Sequence, residues 1–330
     1  VLNYFKLMKK TISALKKNQI NLFELKKLSE MKLVEKSFEI FLKKNFFKNS
    51  KSKKKYLFKK KFCPCGSKLL KNNLKFFIKP FTFIQCNFCN TISIDPMIND
   101  KGLDIIYSKK GIYSLYSKVF FEKRTKKKLR GNVINQRKAE QVMSLFKRKN
   151  FDLLDFGCGD GGFLKCLKKN RIKNLTGIDK KFNNFEENNN IKFYNNLNII
   201  NKKFDCITLW GVLEHVNEPS KFIQFILNYL KPGGYLFMEF PSANSTLMHY
   251  IKNKNYDAPR FLEKGRHLYF FSKKFIEVLC KKKNLKIIDI ETNGLDIQTI
   301  IGPSKKIELK KIFNMQEFLD HNLLSDHYRV

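Results

Sequence analysis

Arginine is scarce in this chain. Of 66 basic residues only 8 are arginine, which leaves 58 lysines against 29 acids and a formal net charge of +37. Specific readers of phosphate and base edges lean on the guanidinium fork. The lysine excess therefore reads as compositional bias, since Lys, Asn, Ile and Phe are abundant together, as an A+T-rich coding sequence produces. The charge still attracts polyanions nonspecifically. Also missing is any run of about 18 apolar residues, which excludes a transmembrane helix. The basic amphipathic start VLNYFKLMKKTISALKKNQ has no continuous apolar stretch and no small-residue cleavage site, so no signal peptide is read and the cytoplasm is the expected compartment. No internal repeat is visible. A disulfide framework is absent too. Four cysteines cluster at 63–89, while Cys158, Cys166, Cys206 and Cys280 are scattered among apolar residues as small core side chains that should stay reduced.

What remains is enough for one sizeable core and a smaller module. Apolar residues recur at helical spacing in 21–47, so residues 1–61 are expected to form a basic helical arm ending in a mobile, lysine-rich linker at 48–61. Residues 62–96 form a compact cysteine-bearing unit and 97–140 a helical connector. A helix is expected near 132–149, with Asn132 as N-cap. From 151 strands and helices alternate, which predicts an α/β domain over 141–330 with a Rossmann-like parallel sheet and helices on both faces. Strands are expected at 151–156, 174–178, 191–194, 204–210, 235–240 and 285–291, and helices at about 161–170, 218–230 and 272–283.

The stretch FDLLDFGCGDGGFLKCL (151–167) carries the strongest chemical signal. An apolar strand runs into Asp155, then Gly157, Gly159, Gly161 and Gly162, then a helix. Glycines there permit a tight turn and a close backbone approach to a ligand, and the helix start offers free N–H groups. The spacing Gly157, Gly159, Gly162 also satisfies G-x-G-x-x-G, so a dinucleotide enzyme stays open on the motif alone. Asp179, about 20 residues on, can accept ribose hydroxyls, which suits NAD and S-adenosylmethionine (SAM) equally. Asp155 tips the balance, because a carboxylate at that strand end suits an ammonium group, which NAD lacks.

The pieces D-F-G-C-G-D-G, G-I-D, F-D-x-I-x-x-x-x-V-L-E-H-V (204–216) and L-K-P-G-G (230–234), in this order and spacing, resemble the class I SAM-dependent methyltransferases. The resemblance covers about 151–241. It implies that Asp155, Gly157, Cys158, Gly159 and Gly161 hold the methionine end of SAM. It implies that Asp179 binds the ribose, that Asn195 or Asn196 contacts adenine, and that Leu209 and Trp210 close over the cofactor. For a hydroxyl acceptor a general base helps, and Glu214, His215 and His267 are the candidates. In quinone-type O-methyltransferases a comparable E-x-x-E-H stretch is associated with a metal. Gly211 replaces its first acid here, so a catalytic metal is not expected. The segment 241–279 resembles the P-N…S…HL-x-x-F-S stretch of one bacterial methyltransferase subgroup and should roof the acceptor pocket. Arg266, Tyr269 and Asn244 are the substrate-side candidates. Residues 296–322 are expected to form a partly helical insertion. LSDHYRV (324–330) resembles the start of the fold's last, antiparallel strand, which would then be clipped.

KFCPCGSKLL…FIQCNFCNTISIDP (61–96) reads as a zinc ribbon. Cys86 and Cys89 form a C-x-x-C knuckle. Cys63 and Cys65 form a C-P-C half-site one residue short, which should need a strained loop to ligate. A structural zinc is the expected occupant. A zinc ribbon ahead of such a methyltransferase is similar to bacterial enzymes that modify small metabolites, nucleotide sugars or glycans, and this is the acceptor class it implies. An RNA methyltransferase that grips phosphates with its basic arm is the second reading, although D/N-P-P-Y and P-C motifs are lacking. A non-catalytic SAM-binding regulatory module is the third. Oligomeric state is not legible.

Overall fold

The computed structural model describes residues 29–108, 111–112, 125–147, 150–180, 185–188, 190–302 and 307–330. The expected helical start at 1–28 lies outside them. Helix α1 (Ser29–Asn45) buries Leu42, and Phe46 just past its end is also buried, as the apolar spacing predicted. The lysine-rich run at 48–61 is not a mobile linker. It forms α2 (Ser50–Tyr56), whose first turn is capped by the Asn49 side chain, and β1 (Leu57–Phe58). Lysine is a good helix former, and a cap plus a strand partner suffice to order a charged stretch. Next come β2 (Lys75–Ile78), β3 (Phe81–Gln85), β4 (Ile92–Asp95) and β5 (Met97–Ile98), the last antiparallel to β1, and then α3 (Asp100–Tyr107). Strands β2, β3 and β4 form an antiparallel meander.

The main sheet follows α4 (Thr125–Ser144). Helix α4 begins earlier than expected, so Asn132 lies within it rather than capping it. Then come β6 (Leu153–Phe156), α5 (Gly162–Lys169), β7 (Leu175–Ile178), β8 (Phe185–Asn188), β9 (Ile191–Tyr194), β10 (Phe204–Trp210), α6 (Pro219–Leu227) and β11 (Leu230–Pro241). The remaining elements are α7 (Thr246–Lys254), α8 (Pro259–Leu262), β12 (Tyr269–Phe270), α9 (Lys273–Lys282), β13 (Glu291–Asn293), α10 (Asp296–Ile301), α11 (Leu309–His321) and β14 (His327–Arg329). The sheet order is β13-β14-β11-β10-β6-β7-β9-β8. Strands β9, β7, β6, β10 and β11 are parallel, and β14 runs antiparallel between β11 and β13. This is the Rossmann-like α/β architecture that the strand–helix alternation predicted, with the order reversing at β6/β10.

Two strand bounds differ from expectation. The Pro232-Gly233-Gly234 turn is absorbed inside β11 as an irregularity, so Phe204 pairs with Leu230 but Cys206 with Tyr235. The strand expected at 285–291 is confined to 291–293, because its partner β14 offers only three residues to pair with. Helices α10 and α11 form the expected insertion.

The cysteine-bearing meander is fused to the α/β part. Strand β12 adds to β4, pairing Tyr269 with Ser93 and Phe270 with Ile92. Polar bridges reinforce the join: Ser220 Oγ donates to the Pro64 carbonyl at 2.7 Å and Lys282 Nζ to the Cys65 carbonyl at 2.6 Å. One hydrophobic core runs through both, from Leu42 and Phe83 to Phe240 and Phe271. No helix among the described residues is long and apolar enough to cross a membrane.

Candidate active site

The carboxyl ends of β6, β7 and β10 form the first half of the site. Gly157, Gly159 and Gly161 have φ of +74°, +55° and +71°, a region that L side chains rarely adopt. A Cβ on Gly157 would stand 2.7 Å from Val212, and one on Gly161 2.9 Å from Phe193. The loop is pinned to its neighbour strand, since the Gly157 and Cys158 amides both donate to the Ile178 carbonyl. Cys158 is buried in this packing. Asp179, just past β7, accepts the Gly159 amide at 3.0 Å, so this carboxylate and the glycine turn are physically linked. Asp155 is 2% exposed and accepts a 2.8 Å hydrogen bond from Thr208. Burial pushes its carboxyl up to about 7, against the opposing pull of Thr208 and Lys138.

Beside Asp155 lies a buried ionic group that motif reading missed. Lys138 of α4 donates to Glu239 at 2.7 Å and lies 4.6 Å above the Trp210 ring, and Arg329 of β14 also pairs with Glu239. Burial opposes both charges. The Arg329 and Lys138 cations outweigh that penalty at Glu239 and hold its carboxyl well below the usual range. Trp210 packs edge-on to Phe163 at 5.5 Å, and no hydrogen-bond partner for its buried Nε1 occurs among the described residues.

The second half of the site follows β10. A short 3-10 turn, Leu213–His215, delivers Glu214 and His215, and the loop before β12 delivers His267. Their donor atoms lie within 4.8 Å of one another. Both Nε2 atoms stand 3.9 Å from Glu214 Oε1. His215 Nδ1 is 2.8 Å from the Arg266 carbonyl and 2.9 Å from the Tyr107 hydroxyl, and His267 Nδ1 is 2.9 Å from the Phe261 carbonyl. A carbonyl only accepts, so each Nδ1 carries the hydrogen and each Nε2 presents its lone pair. Burial pushes Glu214 up to about 8 and, with the nearby His267, pushes His215 down to about 3. His267 also falls well below the ordinary value, through burial and Arg266. At neutral pH this is a protonated carboxyl facing two neutral imidazoles. The donor set also fits a divalent cation, His267 supplying the third ligand in place of the acid that Gly211 lacks.

The remaining candidates have these surroundings. Arg266 pairs with Glu263 at 3.0 Å and stacks over Phe38. Tyr269 is fully buried on β12 and donates to the Asn217 carbonyl at 2.9 Å. Asn244 accepts from the Lys273 amide and the Tyr328 hydroxyl. Leu209 faces the core. Asn195 is half-buried, and Asn196 caps a 3-10 turn by accepting from the Asn198 amide at 2.9 Å. Tyr107, Lys138, Glu239 and His327 carry no motif of their own. They belong to the site only because α3, α4, β11 and β14 converge on it.

Cys63, Cys65, Cys86 and Cys89 are all buried, with sulfur atoms within 4.8 Å of one another. Cys63–Cys89 and Cys65–Cys86 sulfurs are 3.5 and 3.9 Å apart. These values bracket the edge of about 3.8 Å expected for a tetrahedron of Zn–S bonds near 2.3 Å. The short C-P-C half-site reaches because Gly66, at φ +100°, absorbs the turn, while the Ser67 amide donates to Cys65 Sγ. Four buried cysteines in this arrangement are compatible with a structural zinc.

The reversed sheet order and glycine loop beside a buried strand-end carboxylate define a class I SAM-dependent methyltransferase. The methyltransferase-domain family profile matches residues 121–290, over half of the sequence, and the chain belongs to that family. The mitochondrial ubiquinone biosynthesis O-methyltransferase of Dictyostelium discoideum is 26% identical over 200 residues, covering 48% of this chain and 61% of its own. The ubiquinone biosynthesis O-methyltransferase of Coxiella burnetii is 27% identical over 174 residues, covering 48% and 74%. The chain thus spans less than two thirds of the Dictyostelium protein. Among solved structures, a SAM-dependent methyltransferase from Archaeoglobus fulgidus is similar at 18% identity and a TM-score of 0.41, covering 66% of this chain and 97% of that one.

Proposed function

We propose that the protein transfers a methyl group from SAM to a hydroxyl of a small-molecule acceptor, either a phenol or the sugar of a nucleotide sugar or glycan. The observation that carries this reading is the convergence of Glu214, His215 and His267 beyond the same sheet edge as Asp155 and the glycine loop. The relatives named as O-methyltransferases favour oxygen as the methylated atom.

SAM supplies a methyl group already activated on sulfonium. Asp155 binds the ammonium of its methionine part. The backbone of Gly157, Cys158, Gly159 and Gly161 cradles that end, and Asp179 takes the ribose hydroxyls. Asn195 and Asn196 flank adenine, and Leu209 and Trp210 wall off the reacting end from water. Glu214, His215 and His267 orient the acceptor oxygen through hydrogen bonds. These three side chains would also hold a divalent cation, whose Lewis acidity would polarise an acceptor hydroxyl. None of the eight cysteines is in a disulfide, which suits a reducing compartment, and the cytoplasm is the location read here. The net charge gives salt-dependent, nonspecific attraction to polyanions.

The test is calorimetric titration of SAM into the zinc-loaded protein and into Asp179→Ala, followed by methyl transfer from isotope-labelled SAM to catechol. Micromolar SAM binding that the variant loses, with label in catechol, supports the reading. Folded protein that binds NAD and not SAM overturns it.

A further inference from the structure

We infer that His327, oriented by Asp326, is the group that removes the acceptor's proton during methyl transfer. The inference rests on the reading of this site as an O-methyltransferase. Its first support is position. Strand β14 is antiparallel to β11, so its first residue lies at the carboxyl edge of the parallel strands, where His327 pairs with Pro241 and Arg329 with Glu239. Cross-strand partners and every second residue along a strand share a face. Asp155 pairs with Thr208, and two residues further along β10 Trp210 pairs with Glu239. One face therefore carries Asp155, Trp210, Glu239, Arg329 and, at the outer edge, His327.

The second support is the dyad itself. His327 Nδ1 lies 2.7 Å from Asp326 Oδ1, and the Asp326 carboxylate is 1% exposed. Its other oxygen takes the Arg260 guanidinium at 2.5 Å and the Leu295 amide at 3.2 Å. The Asp326 amide donates in turn to Asp296 at 2.9 Å, so the carboxylate is fixed from several sides. A Nδ1–H donated to a buried carboxylate leaves the Nε2 lone pair outward, the tautomer that a proton acceptor needs.

The third support is the surroundings of the His327 ring. The ring of His327 meets Phe261 edge-on at 6.1 Å, and the Phe261 carbonyl holds His267, so both imidazoles contact one residue. The charged groups that act on His327 are Asp326 beside it, Glu239 of β11 and Arg260 of α8, while Glu214 and His267 respond to His327 in turn. Burial disfavours its cation, but the Asp326 charge and hydrogen bond outweigh that, and its proton affinity rises above the ordinary value.

The step balances. An acceptor oxygen lone pair forms the new O–C bond as the C–S bond breaks and its electron pair leaves on sulfur. The hydroxyl proton passes to His327 Nε2. Asp326 is a positioning residue and stays ionised.

The experiment uses the full zinc-loaded chain with catechol, labelled SAM and proton NMR titration of the imidazoles. His327→Gln should lower kcat by about 10²–10³-fold and leave SAM affinity within threefold. It should also remove the acid limb of the wild-type kcat profile, and imidazole should restore part of the turnover of His327→Ala. Without cofactor, the His327 resonance should titrate above 6.5 and move down in Asp326→Asn, which carries the same test should His327→Gln unfold. Wild-type kcat with an unchanged acid limb in His327→Gln, or a His327 midpoint at or below 6.5, overturns the inference while leaving the methyltransferase reading intact. Failure of wild-type protein to bind SAM overturns that reading instead, and the NMR titration still decides the dyad.

Discussion

The two halves of the site are built on opposite plans. The proposed cofactor half is local: Asp155, the glycines and Asp179 fall within 25 residues, shaped by backbone amides and positive φ angles. The proposed acceptor half draws on side chains far apart in sequence, Tyr107, Glu214, His267 and His327, brought near one another only by packing. A local, backbone-made site tolerates drift in distant segments. A dispersed, side-chain-made site depends on every element that delivers a residue.

The strongest way to break that contrast is to remove the metal support. A structural zinc in a small unit contributes on the order of 10 kcal/mol. Cys86→Ser or chelation should therefore release the zinc and melt β2–β4, as read by elemental analysis and thermal unfolding. Because β12 is paired with β4, turnover should fall far more than SAM affinity. Equal loss of both would show that the halves are not separable. Next in size, Glu214→Gln, His215→Ala and His267→Ala should each reduce turnover by about 10²–10⁴-fold while leaving calorimetric SAM affinity within a few-fold. A large loss of SAM binding in any of them would move that residue into the cofactor half.

A smaller effect sharpens the cofactor side. The Asp155 carboxyl sits at about 7 in the free protein, and only its ionised form pairs with an ammonium. SAM binding should thus release a proton near neutrality, and affinity should fall by up to about tenfold per pH unit below 7. Calorimetry in buffers of different ionisation enthalpy measures the proton, and Asp155→Asn should abolish both the release and the slope. Smallest of all, Tyr107→Phe removes one hydrogen bond to His215, worth about 1 kcal/mol. Steady-state kinetics should show a change in kcat of less than tenfold with no change in SAM affinity.

The same contrast explains what could be read before the structure. Strand β10 was legible to the residue and the glycine loop nearly so, because local pattern determines both. The helix order of 48–61 was hidden, since its lysines signal only solvent exposure while its anchors, the Asn49 cap and the Met97–Ile98 pairing, are one local and one distant. Tyr269 and Asn244 are pocket candidates on motif grounds alone, and the sequence does not show that the Tyr269 hydroxyl donates to the Asn217 carbonyl or that Asn244 accepts the first amide of α9. His327 had no signal at all. Its partner Asp326 is adjacent, yet a neighbouring Asp-His pair means little until β14 is placed between β11 and β13.

Leu268 gives the contrast a physiological edge. Its carbonyl accepts the Ile94 amide from the cysteine meander at 3.1 Å, and its own amide donates to the Glu214 carbonyl at 2.8 Å. A single residue is thus shared between the cysteine meander and the turn that presents Glu214. Loss of a zinc from the cysteine cluster would therefore loosen the backbone around Glu214 while leaving the glycine loop of Gly157–Gly161 in place.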